Sequence, residues 1–114
     1  MNNLRNKVQL IGHLGNDPEV KEFDGGKIVA NFRMATSEIY KNKAGEKVTE
    51  TQWHNIVAWN GTAKIVEKLL KKGNEVAIEG KLTSRSWDDK DGNKKYITEI
   101  IANEVLLFKS KDQS

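Results

Sequence analysis

The sequence predicts an all-β protein in which five strands form a small barrel and one helix lies between the third and fourth strands. Three observations support this prediction. Over most of the chain, apolar and polar residues alternate with the period of two that is typical of strands. A helical period replaces it once, over residues 62–72. Gly12 and Gly80 each fall in mid-strand, a costly place unless the strand bends or bulges to close a barrel.

The first two strands are predicted from alternation and from the turns that bound them. Residues 5–14 alternate, with Val8, Leu10, Gly12 and Leu14 on one side, and the sequence NDP at residues 16–18 then turns the chain. A second strand over residues 28–37 follows the Asp-Gly-Gly turn at residues 24–26. Both segments therefore present one apolar side to a core.

The third strand is predicted to carry two tryptophans on one side. A hairpin over residues 41–47 leads into a strand at residues 49–59, which contains Trp53 and Trp59. Their separation of six residues places both rings on the same side of the strand. The residues expected to face the other way are His54, Ile56 and Ala58.

A short amphipathic helix is predicted next, over residues 62–72. Its apolar residues recur at helical spacing, Thr62 is the expected N-cap and Gly73 the expected stop. Three lysines are expected at the negative end of the helix dipole, where a positive charge is favoured. They are Lys68, Lys71 and Lys72.

Two further strands complete the barrel, at residues 74–87 and 95–108, joined by a hairpin at residues 88–93. The fourth strand is predicted to bury Val76, Ile78 and Leu82. Its opposite face carries Lys81, Thr83, Arg85 and Trp87. Five strands with one helix between the third and fourth is the order of the OB-fold, a small barrel that binds oligonucleotides or oligosaccharides.

Length and composition indicate a single domain, which we expect to span residues 1–108 with a short tail at residues 109–114. The chain has 114 residues, a net charge of +3 and no cysteine, so disulfides and cysteine-ligated metals are excluded. No apolar run approaches the roughly 20 residues of a membrane span. These features predict a cytoplasmic protein without a membrane association, and a positive charge that mildly favours an anionic partner.

Catalytic chemistry is not predicted. The only histidines, His13 and His54, lack the spacing of a metal site or a catalytic pair. The acidic residues at 88–91 lack the ligand pattern of a calcium loop and are interpreted as a hairpin turn. The sequence GHLG at residues 12–15 does not have phosphate-loop spacing. We therefore predict no catalytic residue, no metal and no cofactor.

Aromatic residues next to cations point instead to a single-stranded nucleic acid. Trp53 and Trp59 lie about 20 Å apart along their strand, a span that accommodates several stacked bases. Trp87 shares a strand face with Arg85, and Tyr40 begins the sequence YKNK. Aromatic faces stack on any base at roughly 1–3 kcal/mol each, while cations follow the phosphates.

Several segments of the chain, in order, resemble the bacterial single-stranded-DNA-binding protein family. They are NKVQLIGHLGNDPEV (6–20), VANFRMATSE (29–38), QWHNIVAW (52–59), LLKKGNEVAIEGKLTSRSW (69–87) and DGNKKYITEI (91–100). The resemblance implies an OB-fold barrel that binds single-stranded DNA without sequence preference during DNA replication, recombination and repair. It also implies a homotetramer, with a dimer as the alternative, and a cytoplasmic location at the nucleoid.

The resemblance also assigns candidate residues. The stacking aromatics of the family fall on Tyr40, Trp53, Trp59 and Trp87. The basic positions expected to contact DNA are Arg5, Lys7, Lys43, Lys72 and Arg85. Arg33 and Asn55 complete the candidate set, and whether Asn55 touches DNA or only keeps its face hydrated is left open. His54 matches a histidine that the family uses at a subunit interface.

Two departures from the family pattern alter these expectations. Tyr40 stands where the family commonly has tryptophan, whereas Trp59 replaces a usual phenylalanine, so the two changes in stacking area roughly offset each other. The final sequence KSKDQS has neither the flexible linker nor the acidic, Phe-terminated tip that recruits replication and repair enzymes. Recruitment through a tail is therefore not expected of the sequence given.

Three alternatives remain open at the level of the sequence. The first is an accessory of the primosomal replication protein N type, a related dimeric OB protein. The second is an OB-fold adaptor that recognises RNA or protein. The third, a hydrolytic enzyme, is the least favoured because the sequence offers no evident nucleophile, tuned acid or base, or metal site.

Overall fold

Six strands, one short 3₁₀ helix and one α-helix make up the computed structural model, which describes residues 3–109. The elements in chain order are the 3₁₀ helix Asn3–Asn6, β1 Val8–Leu14, β2 Glu19–Glu22, β3 Ile28–Lys41, β4 Lys47–Trp59, α1 Asn60–Leu69, β5 Glu75–Asp88 and β6 Lys94–Lys109. Of the predicted tail, residues 110–114 lie outside the described residues. Within the described range, no helix is both long enough and apolar enough to traverse a bilayer.

Five of the strands close into a barrel, which confirms the predicted fold class. The strands are hydrogen-bonded in the order β1-β5-β6-β4-β3, and β3 pairs again with β1. All of these pairs are antiparallel except β4 with β6. The sixth strand, β2, was not predicted; it has four residues and pairs with the outer edge of β3, opposite residues 28–31.

Alternating apolar residues fill the barrel, as their period of two predicts. The largest fully buried side chains are Met34, Ile56, Ile78, Val66 and Val76. Helix α1 adds Ala63 and Val66 to the same cluster, together with Leu70 directly after it, so the helix covers one end of the barrel. Burial of this cluster from water is the main favourable contribution to folding.

Two hairpin arms extend beyond the barrel. The first arm, residues 36–52, begins where the pairing of β1 with β3 ends at Ala35. The second arm, residues 82–98, continues β5 and β6 past the buried positions Gly80 and Ile100. The prediction that Leu82 is buried is therefore wrong: its side chain is 48% exposed, because the barrel interior ends before it.

The helix begins and ends earlier than predicted. It spans Asn60–Leu69, its N-cap is Trp59 without a side-chain cap hydrogen bond, and the Thr62 hydroxyl lies 3.5 Å from the carbonyl of Asn103. Thr62 is thus not the N-cap. Lys68 lies in the last turn, and Lys71 and Lys72 come directly after the C-cap Leu70, just beyond the end of the helix.

The two mid-strand glycines allow the backbones of neighbouring strands to approach each other closely. At Gly80 the pairing register of β5 with β6 shifts, which is the predicted irregularity, and a Cβ there would collide with the carbonyl oxygen of Ile101. At Gly12 no register shift is present, but a Cβ would collide with the carbonyl oxygen of Ala35. Gly12 thus allows β1 to approach β3 where the barrel closes.

Candidate nucleic-acid interface

Trp53 and Trp59 project from the outer face of the barrel. Both are on β4, at positions that alternate with the buried Ile56 and Ala58, and they are 52% and 41% exposed. Between them, the same face carries Asn55 and Val57. Large exposed aromatic side chains offer a ligand an apolar surface, because water solvates the faces of their rings poorly.

Arg33 stacks on the first of these tryptophans. It lies on β3 directly opposite Asn55, and its guanidinium carbon is 4.6 Å from the centroid of the Trp53 ring. A cation at this distance is attracted to the electron-rich ring face. The pair therefore places a positive charge beside an exposed aromatic surface.

Gly15 supports Trp53 from the segment that follows β1. A Cβ at Gly15 would collide with the benzene ring of Trp53, so the ring packs against the glycine backbone. The Gly15 amide donates to the carbonyl of Arg33 at 2.8 Å, and Asn16 Oδ1 accepts from the Arg33 amide at 2.8 Å. The sequence gives no indication of this role for Gly15, because no local signal reveals a contact across 38 residues.

The Gly15→Ala variant should test this support. The added methyl group has to displace the Trp53 ring, because the backbone of Gly15 is held on β3 by its hydrogen bond to Arg33. We expect weaker binding of oligo-dT, by at most the roughly 1–3 kcal/mol that one stacked base contributes. Fluorescence anisotropy of a labelled oligomer measures the change.

The matched control is Gly61→Ala, since a Cβ at Gly61 meets no atom within 4 Å. This control should bind as the wild type does. Equal affinities for Gly15→Ala and Gly61→Ala would show that the packing of Trp53 on Gly15 does not matter for binding.

A second aromatic and cation pair lies on the second arm. Trp87 is 44% exposed, and the Arg85 guanidinium carbon is 5.5 Å from its ring centroid. Arg85 also donates to both carboxylate oxygens of Glu99, at 3.0 and 3.3 Å. The hydrogen bond to Glu99, and then its charge, raise the pKa of Arg85, and the same ion pair balances the positive charge with a carboxylate of the protein itself.

The register joins these groups into one surface. Val57 on β4 is opposite Ile101 on β6, and Ile101 is in turn opposite Lys81, which shares its strand face with Arg85 and Trp87. The outer sides of β3, β4, β6 and β5 are therefore continuous. We call this surface, which carries Trp53, Trp59 and Trp87, the outer aromatic face.

A cavity of about 240 Å³ lies on the outer aromatic face between Trp53 and Trp59. Its walls include side chains from four strands: Glu19 on β2, Asn31 on β3, Asn55 on β4 and Glu99 on β6. Asn31 is directly opposite both Glu19 and Val57. Val29, two residues before Asn31 on β3, is opposite both Lys21 on β2 and Trp59 on β4. Strand β2 therefore places a cation in the same cross-strand row as Trp59.

The remaining basic candidates lie around the outer aromatic face. Arg5 and Lys7 line a separate cavity of about 360 Å³ together with Lys81, which the candidate set had omitted. Lys7 pairs with Glu79 at 2.6 Å, and the hydrogen bond to Glu79 followed by its charge raises the pKa of Lys7. Lys43 lies in the turn of the first arm, exposed.

Lys72 is held close to the outer aromatic face by a hydrogen bond from its backbone to the loop after β1. Its backbone amide donates to Asp17 Oδ1 at 2.9 Å, two residues from the glycine that supports Trp53. This contact brings the exposed segment at residues 71–72 close to the edge of the outer aromatic face.

Tyr40 and His54 do not lie on the outer aromatic face. Tyr40 is opposite Val48, and the side chains of this pair point to the opposite side of the two strands from the pair of Ala35 and Trp53. The Tyr40 side chain therefore projects from the other side of the first arm, where it is 47% exposed. His54 is half-buried on that same other side and lies 3.0 Å from the Thr36 hydroxyl. The structure thus brings together three of the four predicted aromatics.

The acidic hairpin at the tip of the second arm is a turn, in agreement with its interpretation. Asp89 Oδ1 accepts hydrogen bonds from the amides of Asp91 and Asn93 at 2.9 and 2.8 Å. Its other oxygen lies 3.9 Å from Lys95. Within residues 3–109, no cluster of three His, Asp or Glu side chains is placed to hold a metal ion.

Comparison with known proteins agrees with this architecture. Residues 5–108 match the single-strand binding protein family. Single-stranded DNA-binding protein 1 of Chlorobaculum tepidum is 53% identical over 94% of this chain and 67% of its own length. Single-stranded DNA-binding protein 1 of Xylella fastidiosa is 43% identical over 96% of this chain and 81% of its own.

Solved structures show the same fold. A Plasmodium falciparum SSB complex with ssDNA superposes with a TM-score of 0.84 at 34% identity, covering 95% of this chain and 99% of that one. A deletion mutant of the single-stranded DNA binding protein from Thermus aquaticus gives 0.79 at 26% identity, over 93% and 51% of the two chains.

An OB-fold barrel with an exposed, cation-flanked aromatic face defines a class of oligonucleotide-binding proteins. Within that class, the chain belongs to the single-strand binding protein family. Members of this family are DNA-binding proteins without enzymatic activity.

Proposed function

We propose that this protein binds single-stranded DNA without sequence preference by stacking bases on the outer aromatic face. The observation that carries the proposal is the placement of three exposed tryptophans on one continuous surface, two of them with an arginine at the ring and the third with a lysine in its cross-strand row. Arg33 lies over Trp53, Arg85 lies beside Trp87, and Lys21 shares the row of Trp59.

Affinity comes from two terms that do not read sequence. Every base has a π-face, so stacking on tryptophan accepts any of them. The cations neutralise phosphates and release counterions, a contribution that weakens as salt concentration rises. Lys43 and the basic cluster of Arg5 and Lys7 extend the path of the strand beyond the outer aromatic face.

The biological role that follows is protection of exposed single strands during DNA replication, recombination and repair. A bound strand has its bases covered by aromatic rings, which excludes both re-formation of the duplex and access of nucleases. We expect a protein with this role to act in the cytoplasm at the nucleoid, where single-stranded DNA is produced.

Titration with oligo-dT tests this function. Stacked bases should quench most of the tryptophan emission, because all three tryptophans lie on the outer aromatic face. Unchanged emission and anisotropy at saturating oligo-dT would refute the proposal. Equal affinity for an RNA oligomer of matched sequence would instead favour an RNA-binding adaptor.

We also propose that the protein assembles into a homotetramer, with a dimer as the alternative. An apolar row formed by Ile11, Ala77 and Leu106 crosses β1, β5 and β6 on the side of the barrel away from Trp53, and its outer two residues are 53% and 58% exposed. A groove of about 460 Å³ runs from this row to Ile65 on α1. Exposed contiguous apolar surface favours association between subunits.

Light scattering during the oligo-dT titration measures the assembly. A mass of four chains would support the tetramer, and a mass of two chains would support the dimeric alternative. A monomer at micromolar concentration would contradict both.

A further inference from the structure

The cavity between Trp53 and Trp59 contains polar side chains that the fold does not use. Asn16, at its edge, is occupied, since its oxygen accepts from the Arg33 amide and its nitrogen donates to the carbonyl of Asp17. Glu99 is occupied by Arg85. Among the described residues, no side-chain hydrogen bond engages Glu19, Asn31 or Asn55.

These three side chains lie on neighbouring strands. Glu19 on β2 is directly opposite Asn31 on β3. On its other side Asn31 is opposite Val57 of β4, and Asn55 is the next residue of β4 that faces outward. Together they form one polar wall on an otherwise stacking surface. At about 240 Å³ the cavity falls below the roughly 300–1,000 Å³ of pockets that enclose a drug-sized ligand, so a base edge fits its size and a whole nucleotide does not.

We propose that this cavity receives the Watson–Crick edge of one nucleobase, and that Glu19 makes it favour bases that present an amino group. The inference rests on the proposed function and adds a small base preference at one position of a strand that the stacking surface otherwise binds without regard to sequence. Asn31 and Asn55 hydrogen-bond the edge of the base, while the sugar and phosphate remain outside, near Arg33.

Hydrogen-bond chemistry separates the roles of the amides and the carboxylate. An amide offers both a donor and an acceptor, so Asn31 and Asn55 are able to pair with any base. An ionised carboxylate only accepts, so Glu19 pairs with the N4 amino group of cytosine but repels the O4 of uracil or thymine. The amides therefore supply affinity and Glu19 supplies preference.

Charge decides which part of the nucleotide enters. Glu19, a carboxylate without a side-chain partner among the described residues, lines the cavity and repels a phosphate, whereas the charge of Glu99 is paired with Arg85. Arg33 also lines the cavity, and its guanidinium lies over the Trp53 ring, where it attracts the phosphate. The base is thereby directed inward and the phosphate outward.

The experiment compares oligo-dC with oligo-dU of equal length, because cytosine and uracil differ only on the edge in question. Dissociation constants are measured by anisotropy for the wild type and for Glu19→Gln. The expected result is that the ratio Kd(dU)/Kd(dC) falls by about two- to tenfold in Glu19→Gln, the worth of one hydrogen bond.

The matched control is Glu22→Gln, which removes the same charge from the same strand at an exposed position outside the cavity. Its ratio should equal that of the wild type. An unchanged ratio in Glu19→Gln, or an equal change in Glu22→Gln, overturns the inference while tight binding of both oligomers still supports the proposed function. Failure of the wild type to bind either oligomer overturns both.

Discussion

Trp53→Ala and Trp87→Ala are each expected to weaken binding of oligo-dT by about 1–3 kcal/mol, which is roughly a five- to 150-fold rise in Kd. Each variant removes one stacking platform from the outer aromatic face. Neither ring fills the core, since Trp53 and Trp87 are 52% and 44% exposed, so the fold should persist. Anisotropy of a labelled oligomer is the appropriate measurement, because the variants alter intrinsic emission.

Tyr96→Ala provides the control for an exposed aromatic that is not on the path. Tyr96 is 71% exposed and is opposite Ser86, the residue before Trp87. Because side chains alternate along a strand, Tyr96 and Trp87 project from opposite sides of the second arm. We expect its affinity for oligo-dT to match that of the wild type. If Tyr96→Ala weakens binding as much as Trp87→Ala does, the outer aromatic face is not the binding surface.

The Gly12→Ala variant is expected to lose about 1–3 kcal/mol of unfolding free energy, as overpacking of a dense core typically costs. Its Cβ would collide with the carbonyl oxygen of Ala35 and lie 3.3 Å from the terminal methyl of Met34. A backbone atom cannot rotate away as a side chain can. The strain falls where β1 meets β3, a junction of only two register pairs.

Denaturant unfolding measures this loss, with Gly61→Ala as the control. That control adds the same methyl group in open space within α1, where alanine is the better helix former, so its stability should equal or exceed that of the wild type. A Gly12→Ala protein as stable as the Gly61→Ala protein would show that β1 and β3 can separate without cost.

Strand periodicity predicted most of the fold, and its failures have physical causes. The barrel strands alternate over long stretches, and the helix shows a different period. Strand β2 escaped prediction because four residues, Glu19–Glu22, are too few to show a period and follow a turn signal. The helix start was misplaced because Thr62 has the chemistry of a cap, whereas the chain enters α1 at Trp59 without one.

The candidate site was predicted in part, for a similar reason. Trp53, Trp59 and Trp87 were identified because alternation places them on polar strand faces. Sequence reasoning did not find Gly15 or Glu19, since each acts through a residue distant in the chain. Neither did it find that Tyr40 projects from the other side of its arm, which depends on the register of β3 with β4.

The sequence by itself determined which residues are apolar, aromatic or charged on each strand face, because side chains alternate strictly along an extended backbone. It thereby determined the order of strands and helix along the chain and the presence of stacking residues beside cations. Only the tertiary structure decided which faces join, because strand register is set by pairing between distant segments. That pairing places Glu19, Asn31 and Asn55 around one cavity between two tryptophans.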